Sequence, residues 1–214
     1  MEATLSISVI VATYGDETWE RQALLRAVPT ATGYERHEVI VVHEPDGTVA
    51  SCRNAAAAQA TADWLCFLDA DDELAPGYVG AMERALEQAG ANGKRSLFTP
   101  AVSTIRNGRA SPPTFFKECD LRHANWMVIG TLIHRDLFWE VGGFPEAEHG
   151  LEDWALWSKC VRAGAEIVKV PDAVYRYWAN PNSMHRVLWR DKKKQVAAHR
   201  RVADDLDAWE AARA

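Results

Sequence analysis

Trp64-Leu65-Cys66-Phe67-Leu68-Asp69-Ala70-Asp71-Asp72 passes from five apolar residues straight into a turn with three carboxylates. The apolar part, Trp64–Leu68, has the length and composition of a buried strand, and the acidic part starts where such a strand must end. The same pattern recurs upstream. Leu5–Ala12 is an apolar, β-branched run that stops at Thr13-Tyr14-Gly15-Asp16, and Glu38–Val42 stops at His43-Glu44-Pro45-Asp46-Gly47. Helical segments fill the gaps: Glu17–Val28, stopped by Pro29; Val49–Ala60, rich in alanine; and Pro76–Ala89, with proline in its first turn and Gly90 at its end. Strand and helix alternating through the first 90 residues predict an α/β, Rossmann-like fold. Its central sheet is mostly parallel and flanked by helices. Ligands of such sheets gather at the carboxyl ends of the strands, where all three polar loops fall.

The second half is less regular. Leu97–Ile105 reads as a strand, Arg106–Pro113 as a loop, and Met127–His134 as a strand across the sheet edge. Leu151–Ala163 is an amphipathic helix with Trp154, Trp157 and Val161 at helical spacing. Ile167–Val170 and Val174–Trp178 are two short strands, and the chain from Arg186 onward is a charged terminal helix. No repeat or low-complexity linker interrupts the chain, so one domain is expected, over residues 1–185, followed by the helix of 186–214.

Bulk properties exclude more than they assign. The chain of 214 residues has a net charge of −6, which gives no global reason to bind nucleic acid or a membrane. The charge is unevenly spread. From His185 to Arg201 seven basic residues (Arg186, Arg190, Lys192, Lys193, Lys194, Arg200 and Arg201) stand against Asp191. This window is either a solvated helix face or a contact for an anionic partner such as a lipid phosphate or DNA. Further on, Val202, Leu206 and Trp209 fall on one helical face, suited to docking on the domain or on a partner helix, a second copy of the chain included. Cys52, Cys66, Cys119 and Cys160 form no CxxC pair, which argues against zinc and for free thiols in a reducing cytoplasm. The N-terminal apolar run is too short for a signal peptide, and no stretch reaches the length of a membrane span. A soluble, cytoplasmic or peripherally attached protein is the expectation.

The acidic turn carries the strongest chemical signal. Asp69, Asp71 and Asp72 repel one another, and a cation among them relieves the repulsion. A hard divalent ion takes carboxylate oxygens and keeps positions open for phosphate. A solvated turn capping the next helix is the competing reading. An EF-hand is excluded, since its sixth and twelfth positions would be Leu74 and Gly80. A P-loop is excluded by the missing Gly-Lys-Ser/Thr.

Four segments together resemble family 2 glycosyltransferases. Val9-Ile10-Val11-Ala12-Thr13-Tyr14 is similar to their opening strand. Arg53-Asn54-Ala55-Ala56, ahead of Asp63 to Asp72, resembles their central signature. Gly142-Gly143-Phe144 followed by Leu151-Glu152-Asp153-Trp154-Ala155-Leu156-Trp157 resembles their acceptor-side segment. Val174-Tyr175-Arg176-Tyr177-Trp178, then Asn182-Ser183-Met184, resembles their closing strand. The match runs from residue 5 to 188 in order and in register. It implies the A-type nucleotide-diphospho-sugar transferase (GT-A) fold, with a donor half near 1–100 and an acceptor half near 101–185. The implied function is inverting transfer of a sugar from a nucleoside-diphosphate sugar to an acceptor hydroxyl, with Mn2+ or Mg2+ as cofactor.

Site roles follow from the resemblance. Asp69 and Asp71 would be the metal and donor motif, Asp71 as metal ligand and Asp69 facing ribose or diphosphate. Asp72 would be secondary or a helix cap. Arg53 would reach the diphosphate or base, and Thr13 and Tyr14 would line the base. Glu44 stands where the family usually has an aspartate, which leaves the base preference open. His185 is either a third metal ligand or a solvated histidine. Asp153 would be the general base, since an acceptor hydroxyl needs a carboxylate to take its proton. The helix dipole would favour its ionised form, and the competing reading is that Glu152 and Asp153 merely cap this helix. Trp126, His134, Arg135, Glu152 and Trp157 are candidates for the acceptor pocket, although nine tryptophans cannot all be sugar platforms. Acceptors left open are a glycan, a lipid carrier, a small molecule or modified DNA. Two other classes fit part of the pattern. A non-catalytic nucleotide-sugar-binding scaffold would share the fold. A sugar-phosphate nucleotidyltransferase would carry a Gly-rich, basic loop where this chain has Thr13-Tyr14-Gly15-Asp16.

Overall fold

Strand β1 (Ile7–Tyr14) is the axis of the N-terminal half: its first five residues are buried and it pairs in parallel on both sides. β2 (Glu38–Glu44) lies on one flank, with Ser8 opposite Glu38 and Tyr14 opposite Glu44; β3 (Trp64–Phe67) lies on the other. The structure is a computed structural model and describes residues 5–33, 36–146, 150–180, 188 and 190–213. The remaining strands are β4 (Glu73–Leu74), β5 (Ser96–Arg106), β6 (Arg109–Ala110), β7 (Leu132–His134) and β8 (Glu166–Trp178). The sheet order is β2-β1-β3-β7-β5-β8-β4, with β6 paired to β5. The ladders β1/β2, β1/β3 and β5/β8 are parallel, and β7 runs antiparallel between the two halves. The expected α/β class with a mostly parallel central sheet is the observed one.

The helices are α1 (Glu17–Leu25), α2 (Ala27–Ala31), α3 (Val49–Gln59), α4 (Tyr78–Ala89), α5 (Arg135–Glu140), α6 (Glu152–Arg162) and α7 (Lys192–Ala211). Helix α3 starts at a reciprocal cap: the Ser51 amide donates to the Thr48 hydroxyl, 3.1 Å, and the Thr48 amide to Ser51 Oγ, 2.8 Å. Two otherwise unpaired donors are satisfied, which fixes where the helix begins and so where Arg53 points.

Three sequence expectations need correction. The helix expected over Glu17–Val28 breaks at Arg26, and Pro29 lies inside α2 instead of ending α1. Proline is tolerated there because the first turn of a helix has no internal use for its N–H. The strand expected over Met127–His134 is only Leu132–His134, and it lies mid-sheet, not at an edge. The chain before it turns instead, with the Thr131 amide donating to the Val128 carbonyl, 3.1 Å. The two short strands after α6 form the single strand β8. Its register against β5 slips at Pro100/Ala101, where Pro171, Asp172 and Ala173 bulge out.

The core around β3 is aromatic. Phe67 meets Phe144 edge-on with centroids 4.8 Å apart, and Phe138 lies 5.5 Å from Phe67. The Asn54 side chain clamps the Phe144 backbone, donating to its carbonyl at 2.9 Å and accepting from its amide at 3.0 Å. Helix α3 is thereby tied to the Gly142-Gly143-Phe144 turn, one residue after Arg53. Helix α7 docks on α6 through buried Ala198, Val202 and Leu206 and an ion pair from Lys159 to Asp205, 2.7 Å. The chain's own domain therefore covers that apolar face. No helix among the described residues is long and apolar enough to cross a membrane.

Gly130 marks the tightest approach behind the site. A Cβ there would stand 2.8 Å from Cε2 of the fully buried Tyr175 ring and closer still to Cδ2. Gly130→Ala is expected to destabilise the fold by roughly 1–3 kcal/mol through overpacking. Urea denaturation measures this, and an unchanged midpoint would mean the ring has room to move.

Candidate functional site

The acidic turn forms at the carboxyl end of β3. Its geometry comes from backbone bonds: the Leu68 amide donates to Ile10, 2.8 Å, and the Asp72 amide to the Asp69 carbonyl, 3.1 Å. Each of the three aspartates offers a carboxylate oxygen within 4.8 Å of the others. Asp72 is buried and accepts the Trp178 amide at 2.7 Å, which ties the turn to the end of β8. It does not cap α4, whose N-cap is Gly77. Asp69 and Asp71 stay half-buried. Burial and then the Asp69 charge push the Asp71 carboxyl above its usual range, and burial, Asp69 and Asp71 push Asp72 well above it. Crowded oxygens whose ionisation costs free energy match a hard divalent cation, which offsets that charge. Asp71 Oδ2 lies 3.4 Å from the Asn180 amide, and the Arg26 guanidinium donates to the Asp71 carbonyl at 3.0 Å while lying over the Trp178 ring.

Arg53 joins this turn to the other half of the molecule. It is buried, with one guanidinium nitrogen 2.5 Å from Asp69 Oδ1 and the other 2.8 Å from Glu152 Oε1. Burial alone would lower its pKa; Asp69 and Glu152 outweigh that and raise it. Glu152 is buried too, so this is a charge-assisted bridge across 99 residues of sequence. Arg53 thus stands between the acidic turn and the start of α6, while Glu152 faces Arg53 and leaves Oε2 buried without a partner among the described residues.

Asp153 follows on the first turn of α6. Its Oδ1 accepts the Trp154 amide at 2.7 Å and its Oδ2 the Asn125 side-chain amide at 2.9 Å. Burial, then Glu152, push its carboxyl up to about 7, against the opposing pull of Arg53. The helix dipole expected to keep it ionised is thus outweighed. A carboxylate near pH 7 is matched to a general base. Asp69 also acts on Asp153, so the acidic turn and Asp153 belong to one electrostatic cluster.

Tyr14 sits half-buried at the end of β1, its hydroxyl pushed up by burial and then by Glu152. Thr13 is buried, with its hydroxyl 2.9 Å from His43 Nδ1, so of the pair expected to line the base only Tyr14 presents surface. Glu44 ends β2 directly opposite Tyr14, and the Cys52 thiol points at it, 3.7 Å away.

The acceptor candidates fare unevenly. His134 is a correction: antiparallel β7 carries it opposite Trp64, at the start of β3 and away from the acidic turn. There it caps α5 and packs edge-on against Trp64 at 5.1 Å. Arg135 shares that end, bonding the Ala60 carbonyl at 2.9 Å. Trp157 has no exposed surface and belongs to the hydrophobic core. Trp126 is 7% exposed, with Lys169 Nζ 5.5 Å from its ring centroid. His185 lies outside the described residues, as do 181–184, 186 and 187 of the basic window and closing motif. Reading residue types along the chain overlooked Arg26, Asn125, Tyr175 and Asn180. The Asp69 amide donates to Tyr175 Oη at 3.3 Å. Arg26, Asn125 and Asn180 carry no local signal, and Tyr175 stands in the closing-strand segment without an assigned role; only their tertiary neighbours single them out.

Comparison with known proteins agrees with this architecture. The profile of "Glycosyl transferase family 2" matches residues 9–141. A search of curated protein sequences returned no match. Among solved structures, S. aureus TarS 1–349 in complex with UDP-GlcNAc aligns with TM-score 0.65 and 18% identity, over 86% of this chain and 61% of that one. TarS 1–349 with UDP aligns with TM-score 0.65 and 18% identity over 94% and 65%. GalNAc-T7 with UDP, GalNAc and Mn2+ aligns with TM-score 0.58 and 15% identity over 84% and 45%. The chain thus spans less than two thirds of the length of these structures. At such identity these likenesses speak to fold, which is the GT-A fold. The profile covers more than half of the sequence, from the opening strand through the acidic turn and past β7, and the chain belongs to glycosyltransferase family 2.

Proposed function

We propose that this chain transfers a sugar from a nucleoside-diphosphate sugar to an acceptor hydroxyl with inversion at the anomeric carbon. The observation that carries this reading is the Arg53 bridge, which brings the acidic turn at Asp69 and the helix start at Glu152 and Asp153 into one cluster. Asp71 and Asp69 would hold a divalent cation, Mn2+ or Mg2+. That ion, when bound, supplies positive charge to a departing diphosphate. Arg53 sets the orientation of Asp69 and adds its own charge to the same face. Tyr14 and Glu44 flank the base at the ends of β1 and β2. The ionised carboxylate of Asp153 accepts the acceptor's hydroxyl proton as the oxygen–carbon bond forms. The bond from the anomeric carbon to the diphosphate oxygen breaks, and its electron pair leaves with the nucleoside diphosphate. A uridine donor is the first to test, since UDP occupies the TarS and GalNAc-T7 structures. The acceptor is a hydroxyl-bearing glycan, lipid carrier, small molecule or modified nucleic acid.

A ligand that binds only the native state raises the unfolding midpoint. UDP with Mn2+ is expected to raise Tm by about 5 °C at a hundredfold excess over Kd, and UDP without metal by much less. Asp71→Asn should lose the metal-dependent part. If UDP shifts both proteins equally with and without Mn2+, the acidic turn is not the metal site.

A further inference from the structure

The loop ahead of β7 is bound to helix α6 at two levels. The Leu121 carbonyl accepts both Trp154 Nε1, 2.6 Å, and Ser158 Oγ, 2.9 Å. Four residues on, Asn125 donates through Nδ2 to Asp153 Oδ2, 2.9 Å, while its Oδ1 accepts the Met127 amide, 2.9 Å. The second bond settles the orientation of the side-chain amide. With Oδ1 held by an N–H donor, the NH2 end must face the carboxylate. Asp153 Oδ1 is already held by the Trp154 amide. Each carboxylate oxygen therefore has one fixed donor, and the ring of Trp154, next in the chain, is pinned by the same loop.

We infer that Asn125 is a positioning residue: locked by the Met127 amide and the Leu121 anchor, it holds the Asp153 carboxylate at the angle and charge state in which it receives a proton. This rests on Asp153 being the base. The role differs from packing, because a donor aimed at a carboxylate stabilises the ionised form over the neutral one. Among the described residues, the charged groups that act on Asp153 include Glu152 on its own helix, Arg53 on α3 and Asp69 on the acidic turn; Glu152 and Asp69 raise its affinity for the proton, and Arg53 lowers it. Asn125 and the Trp154 amide are the neutral groups that favour ionisation.

The test needs no substrate. The side-chain carboxyl carbon of Asp153 is followed by NMR against pH in protein labelled at aspartate, with Asp153→Asn assigning the signal. The wild-type midpoint is expected near pH 7, raised by desolvation and by Glu152. In Asn125→Ala the midpoint should rise by about one unit, the loss of one hydrogen bond to a charged group. Asn125→Asp keeps the size and the acceptor for Met127 but opposes a second carboxyl, and should raise it further. Midpoints within a few tenths of a unit of wild type in both variants would overturn the inference. In a transfer assay, Asn125→Ala should be about fivefold slower at pH 7 and recover by pH 9. A loss uniform across pH would mean the loop merely packs. Full activity of Asp153→Asn would instead remove the base reading, whatever Asn125 does to the titration.

Discussion

Asp153→Asn is expected to lower transfer by about 10³-fold while leaving UDP binding intact. General-base catalysis contributes roughly 10²–10⁴-fold, and an amide cannot take the acceptor's proton. The variant keeps the volume of the side chain and an oxygen for the Trp154 amide, so the fold should survive. The pH dependence of the wild type carries a second signature. Its carboxyl is pushed up to about 7 by burial and by Glu152. A base works when deprotonated, so kcat/KM should fall about tenfold per pH unit below 7 and level off above it. An ordinary carboxylate would place that limb near pH 4. Initial rates of transfer from pH 5 to 9, with the UDP-induced Tm shift as the binding control, measure both. A variant as active as wild type would transfer the base role to another group, and a flat profile from pH 5 to 7 would exclude a carboxyl so perturbed.

Arg53→Met is expected to be the most destabilising single change in the site. It would leave Glu152 buried with no cation and Asp69 facing Asp71 and Asp72 alone. Removing one partner of a buried charge pair costs about 3–5 kcal/mol, because the remaining charge has neither water nor a counter-ion. For a domain of this size that lowers Tm by about 10 °C. Arg53→Lys should fall between, since an ammonium is a point donor and cannot span both carboxylates as the guanidinium does. Glu152→Gln added to Arg53→Met should restore part of the stability, and calorimetry of the four proteins reads the coupling. If Arg53→Met melts with wild type, the bridge is a surface-like pair of little consequence.

The strands β1, β2 and β3, the helices between them and the acidic turn were legible along the chain. Burial imposes a short-range pattern of apolar runs broken by turn residues, and neighbouring residues are enough to produce it. Asp153 stood out only through the resemblance of its segment to the family's, since acids in the first turn of a helix read locally as a cap. Long-range pairing has no such local signature. β7 entering the sheet antiparallel between β3 and β5 is a matter of which strands meet, and it carried His134 to the wrong end for an acceptor contact. Trp157 has the spacing of a helix face, but spacing alone does not say that the face is turned fully into the core. The bridge of Arg53 to Glu152 and the hold of Asn125 on Asp153 join residues 99 and 28 positions apart. Such contacts exist only once the two halves pack, because their energy comes from charges and donors that share a buried space and not from any order in the chain.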